Sequence, residues 1–500
     1  MIQIDGNHLT LAQVDAVARG IEKVEISVEA HKQIVASRAV IEKILASGQV
    51  VYGVNTGFGK LSDVTIPVDK LRDLQINLVR SHACGVGEPL TEAESRAMLL
   101  LRANVLAKGY SGVRLELVEA LCNLLNYNIT PVIPAKGSVG ASGDLAPLAH
   151  LALTLIGEGE VFFKGERLPT KTALAASGLE AIKLEAKEGL ALVNGTQAMA
   201  SLGSLLILQA ERLAELADLA GAMSLEALHG TSRASDQKIQ MVRPHAGQKL
   251  VAEKIIAFTE GSQIMESHKE CRRVQDAYSL RCIPQVHGAA RDVLAHVRSV
   301  FEIEINSATD NPLVFPETEE VISGGNFHGE PLALALDYLA LAMTELGAIS
   351  ERRIERLVNP DLSELPAFLV PNPGMCSGLM IVQVMAVALQ AENKILSHPA
   401  SVDSLPTSAN KEDHVSMGMT SALKLRTIVE NIETILASEL LAASQALGFL
   451  LPLKPGRKVA AAYDLIRANV DFIQEDIVVA ESIAKVRAIL PELISLSLKG

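Results

Sequence analysis

One stretch of the chain decides its fold class: residues 331–358 have the sequence PLALALDYLALAMTELGAISERRIERLV. Apolar side chains recur in it at the three- and four-residue spacing of a helix, with few helix-breaking residues. At a rise of about 1.5 Å per residue, such a helix would be about 42 Å long. Helices of this length that are apolar on broad faces are typical of bundles, so the stretch predicts a long helical bundle.

Similar periodic stretches occur at 201–219, 378–396 and 414–447. The aromatic share is only 3% and Trp is absent, so the core must be built mainly from aliphatic residues, among which Leu and Ala favour helices. Residues 1–192 instead combine Gly-rich turns with short apolar runs at 50–52 and 160–163 that could be strands. We therefore expect a mainly α chain with two domains, a mixed N-terminal domain at 1–192 and a long-helix bundle at 193–500.

Composition and charge exclude several classes of function. The net charge of −13 argues against nucleic acid as a partner, because nucleic-acid-binding surfaces are basic. Asp337 and Glu345 interrupt the most apolar stretch, so no membrane-spanning helix is expected. Residues 1–6 lack the basic and apolar parts of a secretion signal, so no membrane association is expected from them either. Five widely spaced cysteines without a Cys-x-x-Cys pair are typical of reduced thiols. We expect a cytoplasmic protein that buries apolar helix faces against partner subunits.

The richest stretch for chemistry is residues 137–150, GSVGASGDLAPLAH, in which a Gly-rich turn runs into an apolar helix. A phosphate-binding loop is a weak explanation, since no Gly-Lys-Ser/Thr or Gly-x-Gly-x-x-Gly pattern occurs there. A helix cap, with Ser142 or Asp144 at the N-cap, would explain the turn without any chemistry. A third interpretation is that the backbone itself cyclises.

Cyclisation of Ala141-Ser142-Gly143 would convert this tripeptide into an electrophile. The amide nitrogen of Gly143 would attack the carbonyl carbon of Ala141, and loss of water would leave an imidazolone ring. Loss of a second water from the Ser142 side chain would leave an exocyclic methylidene group. Gly143 lacks a Cβ, so its nitrogen can approach a carbonyl two residues back, and the following helix would favour negative charge at the ring.

The run GASGDLAPL at 140–148 resembles the signature of the aromatic amino acid ammonia-lyases, whose prosthetic group, 4-methylidene-imidazol-5-one (MIO), forms from Ala-Ser-Gly. The resemblance spans nearly the whole chain and recurs in order at separated motifs. These are YGVNTGFG at 52–59, NLVRSH at 77–82, LVNGT at 192–196, YSLRC at 278–282, GNFHG at 325–329 and EDH at 412–414. The resemblance implies an aspartase/fumarase-like helical bundle, a homotetramer with sites shared between subunits, and elimination of ammonia from an amino acid.

The resemblance also implies a role for each candidate residue. Tyr52 resembles the base for the substrate β-hydrogen; because a free phenol has a pKa near 10, this role requires the pKa to be lowered in the site. Tyr278 resembles a second tyrosine that assists proton transfer or binds the amine, and Arg281 resembles the residue that binds the substrate carboxylate. Asn194 resembles the asparagine bonded to the ring or the substrate, and Phe327 resembles the aromatic residue beside the prosthetic group. Whether the electrophile bonds to the substrate amine or to its ring stays open.

Two positions indicate the substrate. Ser81-His82 and Glu412 resemble the histidine-specific branch of the family, in which a carboxylate can accept hydrogen bonds from the substrate imidazole. The implied reaction converts L-histidine to trans-urocanate and ammonia. Lys411 departs from the Gln that is more common in the family, and we expect it to point to solvent rather than pair with Glu412.

Other functions remain compatible with the sequence. The nearest are a tyrosine or phenylalanine ammonia-lyase and an aminomutase that uses the same electrophile. An alternative of another class is a non-catalytic helical assembly protein. A catalytic metal and a nucleotide are not expected, since the twelve histidines show no His-Glu-x-x-His or Cys/His ligand spacing and no nucleotide-binding motif occurs.

Overall fold

The computed structural model of the protein describes residues 1–269 and 274–498. This part of the chain is mainly helical, which confirms the predicted fold class. The helices are α1 (Leu11–Ala18), α2 (Val28–Ser47), α3 (Leu71–His82), α4 (Glu92–Ala107), α5 (Leu115–Asn126), α6 (Leu145–Leu155), α7 (Thr170–Ala176), α8 (Glu188–Val193), α9 (Gln197–Ala227), α10 (Gln237–Met241), α11 (Ala246–Phe258), α12 (Gln263–Ser267), α13 (Tyr278–Arg281), α14 (Ile283–Glu304), α15 (Glu330–Val358), α16 (Pro360–Ser363), α17 (Met380–Leu396), α18 (Gly418–Phe449), α19 (Arg457–Asn469), α20 (Val479–Ala488) and α21 (Leu490–Leu498). The strands are β1 (Ile2–Ile4), β2 (Val24–Ile26), β3 (Val86–Pro89), β4 (Thr130–Pro131), β5 (Pro134–Lys136), β6 (Glu160–Phe163), β7 (Glu166–Pro169), β8 (Leu313–Phe315) and β9 (Glu320–Ile322).

The chain divides into two compact units. Unit 1 consists of Met1–Leu208, Arg298–Asp337 and Pro399–Leu423, and unit 2 consists of Gln209–Val297, Tyr338–His398 and Lys424–Gly500. Strands β1 to β9 all belong to unit 1. The division into a mixed N-terminal domain at 1–192 and a long-helix bundle at 193–500 stays a prediction.

The strands of unit 1 form small separate sheets. β1 pairs with β2 in parallel, β3 with β5 and β8 with β9 in antiparallel fashion, and β4, β6 and β7 form an antiparallel sheet. The strand predicted at 160–163 is confirmed as β6. The strand predicted at 50–52 is wrong, because these residues form a loop. The Val51 N–H donates to Asn55 Oδ1 (2.9 Å) and the Asn55 amide donates to the Gln49 carbonyl (2.8 Å), so this side chain turns the chain locally.

Helix α4 of unit 1 is buried over most of its length. It begins with a capping box in which the Thr91 hydroxyl accepts from the Glu94 N–H (3.2 Å) and the Glu94 carboxylate accepts from the Thr91 N–H (2.8 Å). Every residue from Glu94 to Ala107 is buried. A helix buried on all sides must pair its polar side chains internally, and Arg102 is the most demanding case because its charged group is fully enclosed.

Unit 2 contains long helical segments around a charged core. The Glu439 carboxylate lies fully buried on α18 and accepts hydrogen bonds from the Arg353 guanidinium (2.9 Å), the Ser224 hydroxyl (2.6 Å) and the Ser350 hydroxyl (2.6 Å). A buried ion pair is tolerated only when its remaining polar atoms are also satisfied, and these two serines do so. The cluster therefore fixes how the helices of unit 2 pack.

The long helices predicted from periodicity are present. The stretch 331–358 is confirmed as α15, which begins one residue earlier, at Glu330. The periodic stretch 201–219 lies within α9. α17 begins at Met380 rather than at 378, because Gly378 adopts a left-handed turn (φ +53°), and α18 begins at Gly418, four residues after the predicted start.

Within the described residues, α15 is long and apolar enough to cross a membrane by length and composition. Of its most apolar window, 72% is buried inside the structure. Asp337, which interrupts the apolar pattern, is buried and accepts a hydrogen bond from the Ser401 N–H (2.8 Å). α15 is thus a core helix whose acidic residue has a partner.

The cysteines that the structure describes are free thiols: Cys84, Cys122, Cys282 and Cys376. Burial raises the pKa of Cys122 to about 12, so this thiol stays protonated and behaves as a small core residue. Cys271 lies outside the described residues.

Candidate active site

The turn that precedes α6 is packed backbone against backbone. Gly140 and Gly143 both have left-handed φ angles, +68° and +74°. A Cβ added at Gly140 would lie 2.2 Å from the Ser416 hydroxyl, and one added at Gly143 would lie 2.2 Å from the Gly195 carbonyl oxygen. Only glycine fits at either position, so the local sequence fixes the course of the chain on both sides of Ala141 and Ser142.

Asp144 occupies the N-cap position of α6, but its side chain makes no capping hydrogen bond. Its carboxylate instead accepts from the Ser138 hydroxyl (2.6 Å) and from the Met199 N–H (2.9 Å), and its own N–H donates to the Gly195 carbonyl (2.7 Å). Complete burial raises the pKa of Asp144 to about 6. Asp144 therefore joins the turn to the start of α9, which simple capping of α6 would not require.

Ser142 is held at both of its oxygens. The Asn194 side-chain amide donates to the Ser142 carbonyl oxygen (2.7 Å). The Ser142 hydroxyl donates to Oε1 of Glu412 in a short hydrogen bond. Asn194 is positioned because it is the residue directly after α8, in the three-residue connection to α9. The two contacts fix the side chain and the carbonyl of the same residue.

Glu412 is presented by a tight loop. The Thr407 hydroxyl donates to Oε2 of Glu412 (2.6 Å), and Thr407 and Glu412 also pair through their backbones, with the Thr407 N–H donating to the Glu412 carbonyl (2.8 Å). Residues 408–410 have left-handed φ angles of +50°, +53° and +63°, an unusual conformation for non-glycine residues. Lys411 is exposed, as the sequence predicted, so the carboxylate of Glu412 faces Ser142 and Thr407.

A cavity of about 640 Å³ in unit 1 collects these groups. Tyr52, His82, Ser142, Asn194 and Glu412 all line it, so the structure brings together five side chains that the sequence predicted for one site. The remaining lining is mostly apolar: Phe58, Leu61, Val64, Ile66, Leu74, Leu78, Leu145, Leu190 and Val193. An apolar cavity with a few convergent polar groups is typical of a site for a small molecule.

Tyr52 lies in the Gly-rich loop before α3, where the Gly59 N–H reaches its hydroxyl at 3.5 Å. Burial raises the pKa of Tyr52 above its ordinary value, and the negative charge of Glu412 raises it further. The role of Tyr52 as a base requires its pKa to be lowered, and the groups of one chain do not lower it. A cationic group has to approach the phenol for it to act as a base near neutral pH.

His82 is the last residue of α3, and its Nδ1 lies 3.0 Å from the Ser81 hydroxyl. Burial lowers the pKa of His82, while the carbonyl of Leu78 and the charge of Glu412 act in the opposite direction. The imidazole is therefore neutral at pH 7 and can offer either a donor or an acceptor to a bound molecule.

Three of the predicted catalytic and substrate-binding residues do not line this cavity. Phe327 belongs to unit 1 and lies half-buried in the turn before α15. Tyr278 and Arg281 belong to unit 2, at the two ends of the short helix α13. Tyr278 is 70% exposed, and the Arg281 guanidinium lies 4.6 Å from its ring centre, so the two side chains lie on one face of α13.

Sequence reasoning missed the residues behind Asn194. The fully buried Arg102 guanidinium donates to the Asn194 carbonyl (3.1 Å) and to the Gln197 side chain (2.6 Å). Burial lowers the pKa of Arg102 to about 10, which leaves it charged at neutral pH. The signal was present in the sequence, because Arg102 interrupts the apolar run of α4. Thr407 was also missed, and no motif marks it.

Comparison with known proteins shows which family the chain resembles. A family model described as aromatic amino acid lyase matches residues 9–468. A histidine ammonia-lyase of Myxococcus xanthus is 57% identical over 95% of this chain and 94% of its own length, and one of Stigmatella aurantiaca is 55% identical over 98% and 96%. Among solved structures, histidine ammonia-lyase from Trypanosoma cruzi has a TM-score of 0.92 and 46% identity, covering 99% of this chain and 95% of that one. Tyrosine aminomutase from Streptomyces globisporus has a TM-score of 0.94 and 40% identity, covering 99% and 98%.

Proposed function

The chain belongs to the aromatic amino acid lyase family, and we propose that it is a histidine ammonia-lyase, which removes ammonia from L-histidine and leaves trans-urocanate. This elimination is the first step of histidine degradation. The observation that carries the proposal is that Ser142, held by Asn194 and Glu412, faces one cavity with Tyr52 and His82. The curated relatives at 55–57% identity carry the same activity in their names.

The prosthetic group of the proposed enzyme is MIO, formed from Ala141, Ser142 and Gly143. These residues fit it: the left-handed Gly143 leaves no room for a side chain, and the Ser142 hydroxyl and carbonyl each have a partner. The group supplies an electrophile conjugated to the Ser142 carbonyl. Asn194 donates a hydrogen bond to the Ser142 carbonyl oxygen, and this fixed donor would stabilise negative charge that developed there.

Tyr52 is proposed as the base that removes the substrate β-hydrogen, and Tyr278 as the second tyrosine at the site. Burial raises the pKa of Tyr52 in one chain although Lys60 lines the same cavity, so we assign the lowering of this pKa to a cation from another subunit. Arg281 is that cation in our proposal: it binds the substrate carboxylate and favours the phenolate of Tyr52. Phe327 packs beside the prosthetic group in the same assembled site.

Sharing of sites requires an oligomer, and we propose a homotetramer. Unit 2 presents exposed apolar side chains on two of its helices: Tyr338 and Leu341 on α15, and Ile381, Val384 and Val387 on α17. Apolar faces of this kind are costly in water and are usually covered by partner subunits. A cytoplasmic location agrees with the buried core helix α15 and with free thiols.

Selection of histidine is assigned to Glu412 and His82. A carboxylate can accept a hydrogen bond from an imidazole N–H, which the rings of phenylalanine and tyrosine do not offer. Neutral His82 adds a second polar group in a cavity whose remaining lining is mostly apolar. The apolar walls would hold the substrate side chain, while these two groups set its orientation.

The likeness to a tyrosine aminomutase keeps one alternative of the same chemical class, and a non-catalytic helical assembly protein is the alternative of another class. We would supply the purified protein with L-histidine, L-tyrosine and L-phenylalanine separately. Ultraviolet absorbance from urocanate in the histidine sample supports the proposal, and a β-amino acid product indicates an aminomutase. The intact mass should be two waters below that of the unmodified chain, and a full-mass chain without turnover would indicate the assembly protein.

A further inference from the structure

The Ser142 hydroxyl is the group that must leave if Ala141-Ser142-Gly143 matures, and the structure places it on a carboxyl oxygen of Glu412. We propose that Glu412 is the general acid that releases this hydroxyl as water, so that the residue assigned to substrate recognition first completes the prosthetic group. The inference rests on the proposed function, because it concerns how the electrophile of that enzyme is made.

The contact suits the chemistry of the second dehydration. In that step the Cα of Ser142 loses a proton, the Cβ–Oγ bond breaks, and a Cα–Cβ double bond forms. Hydroxide is a poor leaving group, so Oγ needs a proton as the bond breaks. In the resting site Ser142 donates this hydrogen bond and Glu412 accepts it, so for this step Oε1 first takes a proton from water and then gives it to Oγ, while the proton that Cα releases returns to water. Ser142 thus loses one water and Glu412 ends as it began.

The loop that carries Glu412 holds the carboxyl group for this transfer. Thr407 donates to Oε2 from its hydroxyl, which leaves Oε1 directed at Ser142. The backbone of Thr407 pairs with that of Glu412, and the left-handed residues 408–410 between them form a tight loop. Holding a glutamate side chain in one orientation costs conformational entropy. A carboxyl group fixed in this way is suited to proton transfer to Ser142.

The proposal also gives an order of events. Before dehydration, Oε1 of Glu412 is occupied by the Ser142 hydroxyl. Dehydration removes that oxygen from the chain, and Oε1 becomes available in the same cavity. A carboxylate oxygen that has lost its partner is a strong acceptor for an N–H donor. Completion of the prosthetic group therefore opens the substrate-binding position as well.

The experiment follows maturation by mass rather than by activity. Full-length wild type, Glu412→Gln, Glu412→Ala and Thr407→Val are made by cell-free synthesis, and their intact masses are recorded over time. A peptide spanning 138–147 locates the loss. Asp413→Asn is the matched control, because it removes the neighbouring exposed carboxylate without touching Ser142. Thermal melting of each variant shows whether the fold is kept.

We expect Glu412→Gln and Glu412→Ala to accumulate chains lighter by one water, with the second loss slowed on the order of a hundredfold. Thr407→Val should slow the same step less, and Asp413→Asn should match wild type. The proposal is overturned if both Glu412 variants lose two waters at the wild-type rate, or if they keep full mass, which would place Glu412 before ring closure. A wild-type chain of full mass would instead refute the prosthetic group and with it the proposed function.

Discussion

The Asn194 amide and the Ser142 carbonyl oxygen are 2.7 Å apart, and this hydrogen bond ties the end of α8 to the turn before α6. Because the donor points at the oxygen that gathers negative charge, Asn194→Ala should lower kcat by a factor of roughly 10² to 10³. Steady-state urocanate formation measures the loss. Asn123→Ala, which removes an amide elsewhere in unit 1, serves as the control, and equal activity of the two variants would refute the role of Asn194.

Tyr52→Phe should keep the fold and lose nearly all turnover. The variant removes only the phenolic oxygen, to which the Gly59 N–H makes a long contact, so little stability is at stake. Loss of a general base typically costs on the order of 10² to 10⁴ in rate. Turnover of histidine and the circular dichroism spectrum should be measured together. Near-normal turnover would remove Tyr52 from the mechanism.

The activity of the wild-type enzyme should rise with pH through the neutral and mildly alkaline range. Burial and Glu412 raise the pKa of Tyr52 within one chain, and the proposed approach of Arg281 offsets this rise, so we expect the pKa to stay above 7 and the basic form to grow about tenfold per pH unit below it. The logarithm of kcat/KM for histidine, recorded from pH 6 to 9, should therefore slope upward. A flat profile over this range would mean that the phenol is already ionised or is not the base.

Glu412→Ala should weaken action on histidine far more than action on phenylalanine, because only the imidazole offers an N–H donor to this position. Since the same residue is proposed to act in maturation, rates must be expressed per chain that has lost two waters. The ratio of kcat/KM for the two substrates is then the relevant quantity. An unchanged ratio would remove Glu412 from substrate selection.

Asp144 should make the protein less stable as pH rises. Burial raises its pKa from 3.8 to about 6, so the neutral acid is favoured in the folded chain. The stabilisation is complete below about pH 4 and is lost as pH rises through 6, with a total of about 3 kcal/mol. Asp144→Asn should remove this component, so its melting temperature, at fixed protein concentration, should change less than that of wild type between pH 4 and 7.5. Parallel pH curves would contradict the assignment.

The helical part of the fold could be predicted from sequence because its signal is local and repeated. In α15 the apolar spacing alone located both ends within one residue. A local side-chain contact gave the loop at 50–52 its shape, since the Asn55 side chain bonds to the backbone of Val51 and Gln49, and apolar patterning does not report such a contact. The late start of α17 depends on the left-handed Gly378, which apolar periodicity does not report.

The site residues that stand in sequence motifs could be predicted, whereas the contacts between residues far apart in the chain could not. Tyr52, His82, Asn194 and Glu412 stand in motifs, and the structure brings them into one cavity with Ser142. The pairing of the Ser142 hydroxyl with Glu412 joins positions far apart in the chain, so spacing could not reveal it. The roles of Tyr278, Arg281 and Phe327 stay predictions, because these residues lie outside the cavity of one chain.

The left-handed residues 408–410 imply a trade-off between stability and function. Non-glycine residues in this conformation cost roughly 1–2 kcal/mol each, and Ala409 has no side-chain hydrogen bond with which to offset that cost. Ala409→Gly should therefore raise the melting temperature slightly, by an amount worth about 1 kcal/mol at most, yet slow the loss of the second water because Glu412 is held less firmly. Selection for thermal stability alone would favour this change and would yield a more stable protein in which fewer chains carry a complete prosthetic group.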